Sequence, residues 1–186
     1  IQWAKQEFLH NSVPSFMGAD KPVNVVDMFC GSGGLSLGVS RALQAVGLTP
    51  KFLLGCDAEK DSLAVYKANL RPKVTLQKNV INLISGPPPS SRSGHNINSY
   101  VLDERLYALE GNVDIFVAGP PCEGNSNVNN KTSRSDARNE LYVYAGLIAA
   151  RLGAKLIIIE NVPSVTRANQ QVVGMTNDIL AANGYR

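Results

Sequence analysis

Histidine and cysteine are scarce in this chain, with two of the first and three of the second among 186 residues. No two cysteines form a CxxC pair, and only His10 and His95 could join them around a metal, so no metal site is expected. An odd, small number of cysteines likewise argues against a disulfide scaffold. Charge of one sign is not in large excess. The formal net charge is +3, short of the basic balance that announces nucleic-acid binding by itself, so it permits a polyanionic partner without demanding one. No apolar run reaches the roughly 18 residues of a membrane helix, and IQWAKQEFLH lacks the apolar centre of a signal peptide. The expectation is a soluble, cytosolic protein with no membrane partner. Neither a repeat nor a shift in composition divides the chain, whose length suits one core.

What is present is an alternation. After an amphipathic stretch and a Pro/Gly-containing connector (residues 1–22), VNVVDMF reads as a strand ending in CGSGG, and LSLGVSRALQAVG has helical spacing. KFLLGCD is a second strand, and EKDSLAVYKANL a helix with an acidic first turn, as the helix dipole prefers. VTLQKNV, NVDIFVAG and KLIIIEN are three further strands; ELYVYAGLIAARLG and QQVVGMTNDILAANG are further helices. Near-continuous apolar strands alternating with helices predict an α/β fold over residues 23–186, a mostly parallel, doubly wound sheet covered on both faces. Residues 85–99, SGPPPSSRSGHNINS, show no periodicity and read as a mobile surface insertion. The chain opens on Ile1 and closes on ILAANGYR, a helix tail leading into an apparent strand entry, so the fold is expected to be incomplete at the C-terminus.

Ligands of open parallel sheets bind beyond the carboxyl ends of the strands, and there the informative residues fall. Gly31, Gly33 and Gly34 after the first strand suit either a tight turn or a close backbone approach to a ligand at a helix N-terminus. GSGGLS lacks the third glycine of a GxGxxG fingerprint. Asp57, ending the second strand, suits ribose hydroxyls or an N-cap. Two prolines, Pro120 and Pro121, end the fourth apolar run and rigidly aim the next residue, Cys122. On position alone Cys122 is either a reactive thiol or a small bland residue. Glu160 stands directly after KLIII, a run expected to be buried. Its carboxyl is therefore expected to hold its proton more tightly than an exposed one, either for recognition of a ring nitrogen or as a structural carboxylate.

DMFCGSGGLSLG, the pair Asp57/Glu59 ahead of YKAN, GPPCEGNS, SDARNELYVYAGLI and IIIENV stand in an order and spacing that resemble the DNA (cytosine-5) methyltransferase family. Linked motifs over nearly the whole chain are more specific than one glycine loop. The resemblance implies a Rossmann-like, S-adenosylmethionine-dependent methyltransferase acting on double-stranded DNA, of the kind found in restriction-modification. It would be cytoplasmic and nucleoid-associated in a bacterium, nuclear in a eukaryote. It implies a catalytic Cys122 whose thiolate attacks carbon 6 of a flipped cytosine, and a Glu160 that holds ring nitrogen 3 and the exocyclic amine. Phe29, Gly31, Gly33, Asp57, Glu59, Asn79, Pro120 and Leu141 would bind the cofactor; Glu123, Ser126 and Arg138 would face nucleic acid. Lys131 and Arg134 meet phosphates or form a solvated loop face.

Three departures stand out. Asn79 replaces the family's usual aspartate, giving an acceptor without charge. PPCEGNS replaces PPCQGFS, so Glu123 stands for glutamine and Asn125 for phenylalanine. The chain stops before the family's arginine-bearing motif and target-recognition region, which a missing C-terminal part or a separate chain would supply. Methylation of transfer RNA, a catalytically silent cofactor- or DNA-binding module, and a nicotinamide-dependent oxidoreductase are the rival readings; the last leaves PPC and ENV unexplained.

Overall fold

The computed structural model describes residues 22–90, 95–121, 140–161 and 170–186. Five strands form one parallel sheet: β1 (Val23–Met28), β2 (Pro50–Asp57), β3 (Val74–Gln77), β6 (Ile115–Ala118) and β7 (Leu156–Ile159). Between β3 and β6 the chain forms a two-stranded antiparallel pair, β4 (Ile84–Ser85) with β5 (Val101–Leu102). The helices are α1 (Gly34–Ala45), α2 (Lys60–Leu70), the short α3 (Glu104–Tyr107), α4 (Glu140–Arg151) and α5 (Gln170–Ala182).

The sheet order is β3-β2-β1-β6-β7. The chain runs outward from β1 through β2 and β3, then returns to the other side of β1 for β6 and β7. That reversal creates a crevice at the carboxyl ends of β1 and β6, the general ligand position of open α/β sheets. Strand alternation sends successive side chains to opposite faces, and here both faces are covered: Val25 and Val26 are each fully buried. Val25, Phe52, Ile115 and Val117 pack with Val39 and Leu43 of α1. Val26, Met28, Leu54 and Phe116 pack on the other face with Leu147, Ile148 and Leu152 at α4 and Ile179 of α5. The doubly wound parallel sheet expected from the apolar strands is the one observed.

Two expectations need correction. β7 is an edge strand among the described residues, paired only with β6, and Leu156 and Ile158 are 51% and 36% exposed. The run KLIII is therefore half open rather than buried, because no described strand pairs on its outer side. Residues 85–99 are in part ordered: Ser85 pairs with Val101, residues Ile97–Ser99 form a 3-10 turn, and the Tyr100 hydroxyl donates to the Pro87 carbonyl at 3.0 Å. Gly86 is required there, since a Cβ would come within 2.4 Å of the Tyr100 ring. The N-terminal stretch 1–21 lies outside the described residues.

Candidate active site

A cavity of about 390 Å³ opens at the carboxyl ends of β1, β2, β3 and β6, within the size range of small-molecule sites. Phe29, Asp57, Glu59, Asn79 and Leu141 line it, as do Ala58, Lys78, Val80, Gly119 and Pro121. They come from the ends of four strands and from the N-terminal turn of α4, so the sheet itself brings the group together.

The turn after β1 is the most contorted backbone of the site. Phe29, Gly31 and Gly33 all have positive φ, at 57°, 49° and 98°. Glycine adopts this region freely, whereas a phenylalanine is strained there, and such strain persists where surrounding contacts fix it. Asp57 supplies part of that fixing. Its Oδ2 accepts the Gly31 amide at 2.7 Å and its Oδ1 the Glu59 amide at 2.8 Å. An ionised carboxylate has about four acceptor positions, so roughly two remain for a ligand. Asp57 is not the N-cap of α2; Glu59 occupies that position without a side-chain cap bond. No Cβ fits at Gly33 without meeting Leu70 at 2.7 Å and Tyr66 at 3.1 Å, whereas at Gly31 and Gly34 nothing lies within 4 Å. The loop thus seals tightly against α2 and stays open elsewhere.

Beneath the loop lies a buried polar chain. Asp27 is 1% exposed and Ser36 fully buried. The Ser36 hydroxyl donates to Asp27 Oδ2 at 2.6 Å and lies 3.0 Å from the Tyr66 hydroxyl, which donates to it, since the serine proton is already committed. Asp27 Oδ1 is buried with no partner among the described residues. Burial first, and the neighbouring Asp57 charge, push the Asp27 carboxyl up to about 7 against the pull of the Ser36 bond.

Asn79 lines the cavity, and its Oδ1 already accepts the Ile81 amide at 3.2 Å, capping a 3-10 turn. Lys78 reaches Asp103 at 3.1 Å, and Asp103 also holds Arg105 at 2.8 Å. Pro120 is buried, while Pro121 is exposed and reaches the cavity. Glu160 departs from expectation: it is exposed, because it ends the edge strand β7. A Cβ on Gly119 would stand 3.9 Å from the Phe29 carbonyl and 4.0 Å from Glu160 Oε2. Cys122, Glu123, Ser126, Lys131, Arg134 and Arg138 lie outside the described residues. Sequence reasoning did not single out Lys78, although it adjoins Asn79, nor the set Asp27, Ser36 and Tyr66, whose signal was an acid inside an apolar strand. Among the described residues no cluster of histidine, cysteine and acidic groups could hold a metal, and no helix is long and apolar enough to cross a membrane.

Comparison with known proteins gives the family and the fold. The chain is 34% identical over 163 residues to the type II methyltransferase M1.BsuMI of Bacillus subtilis, a match covering 88% of this chain and 36% of that relative. It is 33% identical over 141 residues to the type II methyltransferase M.AgeI of Thalassovita gelatinovora, covering 75% of this chain and 28% of that one. The chain therefore spans about a third of the length of these curated relatives. Among solved structures, the Entamoeba histolytica methyltransferase EhMeth shares the fold, with a TM-score of 0.57 and 24% identity over 88% of this chain and 45% of that one. The sequence pattern of the family described as C-5 cytosine-specific DNA methylase matches residues 23–186. The chain belongs to the C-5 cytosine-specific DNA methylase family.

Proposed function

We propose that this chain is a partial catalytic domain of a DNA (cytosine-5-)-methyltransferase, with residues 23–186 binding S-adenosylmethionine and the flipped cytosine, and target recognition carried by polypeptide beyond it. One observation carries the reading. At Gly119 the cofactor loop, the double-proline turn and Glu160 come together, with Phe29 O and Glu160 Oε2 both within 4.0 Å of a single Cβ position. A methyl donor in the cavity and a base held by Glu160 would therefore face each other across Gly119, and Cys122 is the next residue after Pro121.

The residues present suit an adenosyl cofactor. Phe29 offers an aromatic face, the open side of Gly31 admits a ligand against backbone, Asp57 keeps acceptor positions for ribose hydroxyls, and Asn79 keeps one for an amine. When bound, S-adenosylmethionine supplies an electrophilic methyl group on a sulfonium. Cys122 attacks carbon 6 as thiolate and forms a carbon–sulfur bond, pushing an electron pair toward carbon 5. Glu160 hydrogen-bonds ring nitrogen 3 and the exocyclic amine as charge develops on the ring. Once carbon 5 carries the methyl group, a base takes its proton and the electron pair returns to expel Cys122. Carbon 6 is out of reach inside a duplex, so the base must leave the stack first.

The test is covalent trapping by the full-length protein on a duplex bearing 5-fluorocytosine in the presence of S-adenosylmethionine, since fluorine cannot be removed as a proton. A denaturation-resistant adduct with the native protein and none with Cys122→Ala is expected. An adduct that survives Cys122→Ala, or labelled methyl entering transfer RNA and not DNA, would overturn the reading.

A further inference from the structure

The ends of β2 and β3 give the cavity a direction. Asp57 closes β2, and β3 lies one strand further from β1, with Gln77 opposite Asp57 in register. Lys78 and Asn79 follow Gln77 and line the cavity. Their backbone is tied to β2: the Lys78 amide donates to the Asp57 carbonyl at 3.1 Å, and the Cys56 thiol donates to the Lys78 carbonyl at 3.4 Å. Gly119 follows β6, on the opposite side of β1. A nucleoside ligand with its sulfur toward Gly119 and its ribose at Asp57 therefore brings its base to Lys78 and Asn79.

The side chains at that end carry donors. Asn79 Oδ1 accepts the Ile81 amide at 3.2 Å, and this backbone donor fixes which way round the side-chain amide stands, since an NH2 group there would meet another N–H. Its Nδ2 has no partner among the described residues, and its Oδ1 keeps a second lone pair. Lys78 adds an ammonium. It holds Asp103 at 3.1 Å, but Asp103 is also bound by Arg105 at 2.8 Å, so one carboxylate faces two cations. Of the three N–H donors of a lysine, two are left for a ligand. Nearby, Ala58 and Val80 are apolar, and the carboxylates Asp57 and Glu59 belong to the β2 end.

Resting on the function proposed above, we propose that the cavity end formed by Lys78 and Asn79 takes 6-oxopurine nucleoside thioethers as well as the 6-aminopurine cofactor and its product. A side-chain amide presents an acceptor beside a donor. Against a 6-aminopurine, Oδ1 accepts from the exocyclic amine and Nδ2 donates to ring nitrogen 1. Against a 6-oxopurine the pairing reverses: Nδ2 donates to the carbonyl and Oδ1 accepts from the protonated ring nitrogen 1. The Lys78 ammonium favours the carbonyl, an acceptor, over the amine, which is itself a donor. An ionised aspartate at position 79 would only accept, suiting the amine and repelling the carbonyl. The asparagine thus widens the range of bases rather than merely weakening one contact. A 6-oxopurine thioether carries no methyl group to transfer, so it occupies the cavity without reacting and competes with the methyl donor.

Calorimetry of the full-length protein with S-adenosylhomocysteine and S-inosylhomocysteine tests this, because the two differ only at purine position 6 and in the proton on nitrogen 1. The native protein is expected to bind them with affinities within about threefold of each other, both bases being fully paired. Asn79→Asp keeps the cap on Ile81, since aspartate caps as well as asparagine. It should favour the adenosyl ligand by at least about tenfold, the order of effect of one mispaired base edge. Lys78→Met keeps an unbranched side chain without the ammonium and should weaken the inosyl ligand about fivefold more than the adenosyl one, the worth of one hydrogen bond. Retained adenosyl binding shows that the cavity of a variant is intact, and Lys78→Met carries the test if Asn79→Asp does not fold. A native preference for the adenosyl ligand above about tenfold, or one ratio of affinities shared by native protein and both variants, would overturn the proposal. Absence of adenosyl binding by the native protein would instead overturn the cofactor reading on which it rests.

Discussion

Asp57 serves two backbone amides, Gly31 and Glu59, so at the scale of single residues its loss cannot be read as loss of a ligand contact alone. Asp57→Ala frees both donors, one in a part-buried bond and one exposed to solvent, and should destabilise the fold by about 0.5–1.5 kcal/mol for the part-buried bond and less for the exposed one, besides weakening cofactor binding. Asp57→Asn keeps an acceptor and should recover most of the stability in urea unfolding while calorimetry still reports weaker binding; equal recovery of both would confine Asp57 to a structural role. Asp27 makes the second residue-level prediction. Its carboxyl is pushed from 3.8 up to about 7 in the folded chain, so ionisation costs more folded than unfolded. The associated stability is complete below about pH 4 and is lost as pH rises through about 7, with a total on the order of 4 kcal/mol. Asp103 acts in a separate window. Arg105 first, and Lys78, hold it below the ordinary carboxylate range, so its contribution is present above about pH 4 and is lost as pH falls. Denaturation midpoints of the cofactor-free protein should therefore fall between pH 5 and 8, and in Asp27→Asn that slope should disappear.

At the scale of elements, the strand edges explain both what could be read and what could not. KFLLGCD and NVDIFVAG gave themselves away as strands because each is apolar and bounded by turn residues, and the helices because of their spacing. β7 was legible as a strand but not as an edge, since a continuous apolar run looks the same at the centre of a sheet and at its rim. The pair β4 and β5 was missed because strands of two residues carry no period. The bonding of Asp27 stayed hidden for another reason: its partners come from α1 and α2, and only the fold brings Ser36 and Tyr66 to it. The same holds for the Gly31 amide on Asp57. An open edge bearing Leu156 and Ile158 is a template for association. Replacing both by lysine should leave unfolding stability within about 0.5 kcal/mol, as at other exposed positions, and should lower any self-association of the chain seen by sedimentation velocity. A large loss of stability would show that this edge is packed in solution.

For the molecule as a whole, positioning a duplex supplies much of the catalytic advantage, and misplacement of about an ångström costs on the order of a hundredfold. Residues 1–186 alone are accordingly expected to bind S-adenosylmethionine yet methylate duplex DNA at least about a hundredfold more slowly than the complete protein; comparable rates in a filter-binding assay would place target recognition within this chain. The strand order also bears on synthesis. Of the described strands β1 is made first, and it becomes the centre of the sheet, but its second neighbour arrives late: Asn24 bonds to Asp114, 90 residues further along. While the ribosome is delivering that interval, β1 can pair with β2 only, β3 adding beyond β2, and its other edge, with Val25 and Val26, waits unprotected. Gly119 cannot meet the Phe29 carbonyl until β6 docks. The nascent chain is thus most exposed to misassociation between completion of β3 and arrival of β6, a delay inherent in long-range parallel pairing, and the pocket is finished in the same step that ends that exposure.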